Sequence, residues 1–406
     1  MLKKYALIFL ILILALSLTG CFLFPPRNES AEWTVMVYLD GDNNLETYGI
    51  QDLNEMEMVG STTDVNIVVQ IDRIPYSVLA GNNQGYADDT SNGDWTTTRR
   101  HYITKDLNPD LISSPLIADL GELNMGDPQT LVDFADWAIT QYPAKKYLLV
   151  IWNHGGGFRT LNRAKDIAWD DTSGGDRITM PELEDALSTI TAQIGKNIDL
   201  VGMDACFMAM TEVAYQIKDY ADLLVTSEES EPNEGWPYDT ILSQLASNPL
   251  MSSEELATDI VDKYIYSYPV SNVTQSAIDL SYVDTLASQL SNLALEIISD
   301  SSTRKYQYIL AAASSQRYGD FDFTDLYDLC NNLLIYSNSL SVKNMVLSIQ
   351  QTLDLAVIKS GYSGVEVSRS RGLSIYFPFY YYDNYYDYTN FSQDTSWDEM
   401  LSSLGY

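Results

Sequence analysis

Five short apolar runs separated by helical patterns limit the folds open to this chain of 406 residues more than any other feature. "WTVMVYL" (33–39), "VNIVVQI" (65–71), "KYLLVIW" (146–152), "IDLVGM" (198–203) and "DLLVTS" (222–227) are rich in Val, Ile and Leu and lack strict alternation. Such runs are the mark of strands buried on both faces. Between them lie "ETYGIQDLNEMEMVG", "TLVDFADWAITQY", "TMPELEDALSTITAQI" and "FMAMTEVAYQIKDY", all of helical period. Repeated strand, helix and strand predicts an α/β fold, a mostly parallel sheet with helices on both faces. Ligands of such sheets bind beyond the carboxyl ends of the strands, so the residues after each run are the place to look for a site.

After the third run come Asn153, His154 and the glycines from Gly155 to Gly157. After the fourth come Asp204, Ala205 and Cys206, and after the fifth Glu228, Glu229, Ser230 and Glu231. Three polar loops therefore converge on one sheet edge. Of the two histidines, His101 follows "DWTTTRR" with no evident strand to deliver it, whereas His154 is placed by a strand end. If a helix opens at Cys206, its dipole and a neighbouring imidazolium lower the thiol pKa. A backbone amide of Gly155 or Cys206 is then available to hold an oxyanion. Burial as a packing residue is the competing reading of Cys206, and so is a disulfide in an exported protein. The cysteines are Cys21, Cys206 and Cys330; no spacing among them suits a structural zinc site, and Cys330 in "DFDFTDLYDLC" reads as helix packing.

The chain carries 23 basic against 56 acidic side chains, a formal charge of -33. That balance repels nucleic acid and anionic lipid surfaces, and a cationic partner or substrate suits it better. Residues 1–20 contain Lys3 and Lys4, the apolar "ALIFLILILALSL" and a small-residue end, the form of a signal peptide. Leu18, Thr19, Gly20 and Cys21 resemble the lipobox of bacterial lipoproteins, which implies a lipid on Cys21 and a membrane-anchored, extracytoplasmic protein. Residues 21–32 read as the lipidated tether, 33–250 as the core, and 251–406 as a helical region with a strand and a Tyr-rich tail packed on that core. The tail, "FPFYYYDNYYDYTNF", is either a contact surface or a cover for the sheet.

"WTVMVYLDGDNNLE", "VIWNHGGG", "GMDACFMAM", "SEESEPNEGWPY" and "RGLSIYFP" together resemble the blocks of the clostripain family of cysteine peptidases, in the clan of gingipains, legumain and caspases. The resemblance runs from Trp33 to Pro378. It implies a caspase-like three-layer sandwich, with His154 as general base or acid, Cys206 as nucleophile forming a thioester acyl-enzyme, and Gly155 as an oxyanion donor. It also implies cleavage of protein or peptide substrates after Arg or Lys, and self-processing between His154 and Cys206. For the latter, the basic residues from Arg159 to Lys165 are the candidates.

Local carboxylates give the basic preference a physical basis. Asp204, two residues before Cys206, either lines the substrate pocket, where it would pair with a cation, or caps the following helix. Glu228 and Glu229, with Glu231, are second candidates for that pocket. "DGDNN" (40–44) reads as a strand-end turn more readily than as a calcium loop, since it lacks the glycine and terminal glutamate of an EF-hand. No cofactor or metal is expected from it, although calcium supports some members of the family. A surface-anchored endopeptidase is thus the expectation; a catalytically silent binding module on the same fold and a transpeptidase are the alternatives.

Overall fold

A computed structural model describes residues 30–81, 89–159, 166–319 and 321–406. The signal segment, Cys21, Arg163 and Lys165 lie outside the described residues. Each of the five apolar runs forms a strand: β1 (Ala31–Gly41), β2 (Val65–Arg73), β5 (Ala144–Trp152), β8 (Leu200–Asp204) and β9 (Leu223–Thr226). They lie parallel in the order β9-β8-β5-β1-β2. Antiparallel strands extend both flanks: β3 (Arg99–Tyr102) and β4 (Leu116–Asp119) beyond β2, β10 (Val273–Asp279) and β13 (Val357–Ser363) beyond β9. The result is a nine-stranded sheet.

Side chains along a strand alternate between faces, and β1 divides accordingly. Trp33, Val35, Val37 and Leu39 join one buried cluster, and Met36 and Tyr38 join the other. Helices α1 (Glu46–Val59), α5 (Tyr238–Ser247) and α6 (Ser253–Ser267) cover the first face with Leu53, Ile241 and Ile260. Helices α2 (Pro128–Gln141), α3 (Met180–Ile194) and α4 (Thr211–Ile217) cover the second with Phe134, Leu187 and Val213. Their starts are written locally. Asp127 accepts from the Gln129 N–H at 2.9 Å ahead of Pro128, and Ser252 and Glu255 form a reciprocal capping box before α6.

Residues Ala31–Tyr406 form one compact unit. The last third of the chain belongs to it: β10 and β13 complete the sheet, and α7 (Val283–Ala313), α8 (Leu326–Tyr336), α9 (Leu340–Ala356) and α10 (Trp397–Leu404) extend the second core. Two small sheets decorate it, the hairpin β6 (Ile167–Asp170) with β7 (Asp176–Ile178), and β11 (Arg317–Tyr318), β12 (Phe323–Asp325) and β14 (Ser374–Tyr376). The Tyr-rich tail divides. Tyr376 and Tyr386 are buried against Phe158, while Tyr380, Tyr381 and Tyr388 are exposed.

Candidate active site

Parallel register sets two loops level with each other. Trp152 on β5 pairs with Asp204 on β8, so His154 and Cys206 each stand two residues beyond level strand ends. Gly155 brings these loops into contact. A Cβ there would lie 2.4 Å from the Cys206 carbonyl oxygen and 2.9 Å from the Cys206 nitrogen. No larger residue fits without moving backbone.

His154 is half-buried and held from two sides. Its Nε2 lies 2.9 Å from Oδ1 of Asn44, in the loop after β1, and its N–H donates to Oδ1 of Asn153. Asn153 is itself locked, its Nδ2 donating to the Asp40 carboxylate at 2.6 Å and to the carbonyls of Asp40 and Trp169. With Asn44 accepting from Nε2–H, Nδ1 is the basic nitrogen of the neutral ring. His101 is strand-borne after all: it lies on β3, buried, with Nδ1 3.3 Å from the Ser114 carbonyl, and burial pushes its pKa down to about 4.

Cys206 does not open a helix. It sits in a turn, Phe207 takes a left-handed φ of 62°, and α4 begins only at Thr211. The dipole that was to lower the thiol pKa is therefore missing, and burial pushes that pKa up to about 12, with the carboxylates of Glu231, Glu229 and Asp204 adding to the rise. The opposing influence is the Glu231 N–H, which donates to Sγ at 3.2 Å. Cys206 and Cys330 are both free thiols, and Cys330 is buried on α8 as a packing residue.

Asp204 does not cap a helix either. It ends β8, is buried, and accepts from the Trp236 N–H at 3.1 Å and the Tyr238 hydroxyl at 2.9 Å. Burial raises its pKa to about 6, against the hydrogen bonds that it receives. Glu231 faces it, and burial followed by the Asp204 charge holds the Glu231 carboxyl well above its usual range. One Glu231 oxygen, Oε2, is buried with no hydrogen-bond donor among the described residues. Buried Asp52, on α1, bonds the Trp152 indole at 2.6 Å, and burial followed by the Asp204 charge holds its carboxyl well above the usual range. The surroundings of Cys206 are thus rich in carboxyls, and Trp236 and Tyr238 hold the Asp204 carboxylate in place.

The three candidate glutamates part company. Glu228 is wholly buried, but its Oε2 accepts from the Gly372 N–H at 2.8 Å and its carboxyl faces Asp325, so its partners are not those of Asp204. Glu229 is half-buried and borders a separate cavity of about 780 Å³ with Arg317, Phe321 and Tyr380. Glu231 is the one that meets Asp204. Asn44 was read in the sequence only as part of the strand-end turn "DGDNN" and not as a partner of His154, although the strand-end rule applied to β1 would have placed it at the same sheet edge.

The chain matches the family model described as the clostripain family over residues 37–403, which carries the match through the Tyr-rich tail and beyond Pro378. It is 25% identical to clostripain of Hathewaya histolytica over 448 aligned positions, covering 94% of this chain and 82% of that one. A secreted C11 cysteine protease of Bacteroides thetaiotaomicron, solved with an irreversible peptide inhibitor, has the same fold (TM-score 0.64, 23% identity, 91% of this chain and 99% of that one). So does an inactive zymogen C11 protease of Parabacteroides distasonis (TM-score 0.67, 20% identity, 92% and 99%).

Proposed function

The chain belongs to the clostripain family of cysteine peptidases, and from that premise we propose that His154 and Cys206 are the dyad of an endopeptidase that cuts proteins after arginine or lysine. His154 Nδ1 takes the thiol proton, and the thiolate adds to the scissile carbonyl. The N–H groups of Gly155 and Cys206 hold the oxyanion, and the imidazolium returns the proton to the leaving amine. Water, deprotonated by the same ring, hydrolyses the thioester. A thiol raised to about 12 makes the resting form sluggish, so attack depends on His154 taking the proton while the Glu231 N–H supports the thiolate.

The observation that carries the specificity is buried Asp204 facing Glu231 beside Cys206, with no lysine or arginine ion-paired to either among the described residues. A guanidinium or ammonium entering there meets two carboxylates in a desolvated recess, which favours it over a neutral side chain. Self-processing fits the same specificity. Arg159 is a poor candidate for it, since its guanidinium pairs with Asp322 and Asp383 over the Phe323 ring; Arg163 and Lys165 are the cleavage positions we favour. A relative captured as an inactive zymogen supports such maturation. The lipobox at Cys21 and a secreted relative support an extracytoplasmic, membrane-anchored enzyme.

Fluorogenic peptides with Arg, Lys, Asp, Asn or Ala before the scissile bond test the reading on wild type and Cys206→Ala. Turnover of the Arg and Lys peptides by wild type alone is expected. Equal turnover by both proteins, or none by a chain cleaved after residue 163 or 165, contradicts it.

A further inference from the structure

Three aromatic rings stand open to water beside the loop that touches Cys206. Phe321, Phe379 and Tyr380 line the open cavity of about 780 Å³ that Glu229 also borders, and they are 60%, 40% and 69% exposed. The rings are gathered: the centroids of Phe321 and Phe379 lie 6.0 Å apart, and those of Phe379 and Tyr380 4.6 Å. A chain with 56 acidic side chains has polar groups enough to cover a surface, so a clustered aromatic face calls for a reason. Its backbone is also fixed. Phe321 takes a left-handed φ of 70°, which costs a bulky residue about 1–3 kcal/mol. The Arg317 guanidinium donates to the carbonyls of Phe321 and Phe377 and lies 5.2 Å over the Phe379 ring, and the Asp322 carboxylate accepts from the Phe379 N–H at 2.6 Å. Exposed rings on a strained and pre-set scaffold are what a ligand surface requires.

The surroundings decide what fits. The charged groups at the rim are already engaged: Arg317 with its carbonyls, Arg369 with Asp328 and the Ser314 carbonyl, Glu366 with the Asn272 amide, and Glu229 with the Ser230 N–H. The ring faces are left for a ligand, and they suit an aromatic or other bulky apolar side chain. The cavity has the size of a small-ligand site. Its place names the carrier of that side chain. The Glu229 carbonyl accepts from the N–H of Phe207, the residue after Cys206, at 3.3 Å, and two positions on the Glu231 N–H donates to Sγ at 3.2 Å. The Phe207 ring in turn lies 6.0 Å from that of Phe323, two residues past Phe321. One loop thus touches the candidate nucleophile and borders the cavity, so a polypeptide held at Cys206 presents its own neighbouring side chains there at high effective concentration. We propose that Phe321, Phe379 and Tyr380 form a subsite for a bulky apolar side chain of the polypeptide substrate, set apart from the basic residue at the scissile bond. This rests on the endopeptidase reading above and narrows the substrates to chains that carry a basic and an aromatic residue at a fixed spacing.

The test measures kcat/KM of the full chain on peptides with one arginine in a glycine background and a phenylalanine moved one position at a time away from it on either side. We expect a gain of about 10-fold over the peptide without phenylalanine at one spacing, and no gain when aspartate replaces phenylalanine there. The ratio of the two rates is taken within each protein, so it does not depend on how much of a variant is folded. Phe321→Ala and Tyr380→Ala should each bring that ratio near unity, whereas Tyr266→Ala, exposed on α6, should keep it. Cleavage after arginine with the same rate at every phenylalanine spacing would overturn the subsite and leave the endopeptidase reading standing; failure to cleave any of the peptides would overturn both. A gain that survives in Phe321→Ala and Tyr380→Ala would place the contact elsewhere and overturn the assignment. So would sedimentation showing that these two variants break up a dimer of the parent chain, since the rings would then face a second copy.

Discussion

Asp204 stands at the end of a buried strand and two residues before the candidate nucleophile, so under the proposed specificity its ionisation governs how well a cationic side chain is received. With its pKa raised to about 6, the neutral form prevails below that pH and offers a cationic side chain little attraction. Above it the carboxylate is charged and available. We therefore expect kcat/KM on Arg peptides to climb as pH rises through about 6. Asp204→Asn should remove that limb and lower kcat/KM on Arg peptides by about 100-fold, while iodoacetamide, which carries no charge, should label Cys206 at least as fast as before, since a charge that raises the thiol pKa is gone. Retention of full Arg activity by Asp204→Asn would rule out its role in specificity. The placement of Cys206, His154 and Asp204 at one sheet edge was legible because a strand end carries each. Glu231 was legible only as one of three glutamates after β9: its meeting with Asp204 depends on a loop that folds back across 25 positions to put its N–H on Sγ, and no periodicity marks such a return.

At the scale of elements, the candidate dyad is brought to one edge because β5 and β8 end level and their loops touch at Gly155. Gly155→Ala drives a Cβ into the Cys206 backbone, and overpacking of this kind costs about 1–3 kcal/mol. We expect a lower thermal midpoint together with loss of peptidase activity, against Gly81→Ala as a control, where a Cβ meets nothing within 4 Å. A Gly155→Ala enzyme with wild-type turnover would show that the two loops need not touch. The five central strands were legible as unbroken apolar runs because helices bury both of their faces. Strand β10 was hidden by its own polarity, since Thr274 is buried to accept from the N–H groups of Glu228 and Glu229. The apolar residues 207–210 imitated a helix, but tertiary contacts overrode the pattern: Ala209 N–H bonds the Ser227 carbonyl and Met210 bridges to Ser374.

The whole molecule buries carboxyls to an unusual degree for a chain of charge -33. Burial raises Asp204 to about 6 and Glu55, Glu212 and Asp325 to about 7, from ordinary values of 3.8 or 4.5. A carboxyl raised in the folded state holds its proton more tightly there than when unfolded. Its contribution is complete below the unfolded pKa and is lost as pH rises through the folded one. The thermal midpoint in EDTA should therefore fall between about pH 5 and pH 8, with the mutual repulsion of surface acids acting in the same sense; a midpoint that climbs over this range would contradict the buried-acid picture. The central claim, that Cys206 is a nucleophile addressed to basic residues by an acidic recess, is met most directly by intact-mass and peptide-mapping measurement after exposure to paired peptidyl electrophiles, one ending in lysine and one in its uncharged isostere norleucine. The account predicts a single adduct on Cys206, formed far faster with lysine. An adduct on Cys330, or equal labelling by norleucine, would contradict it.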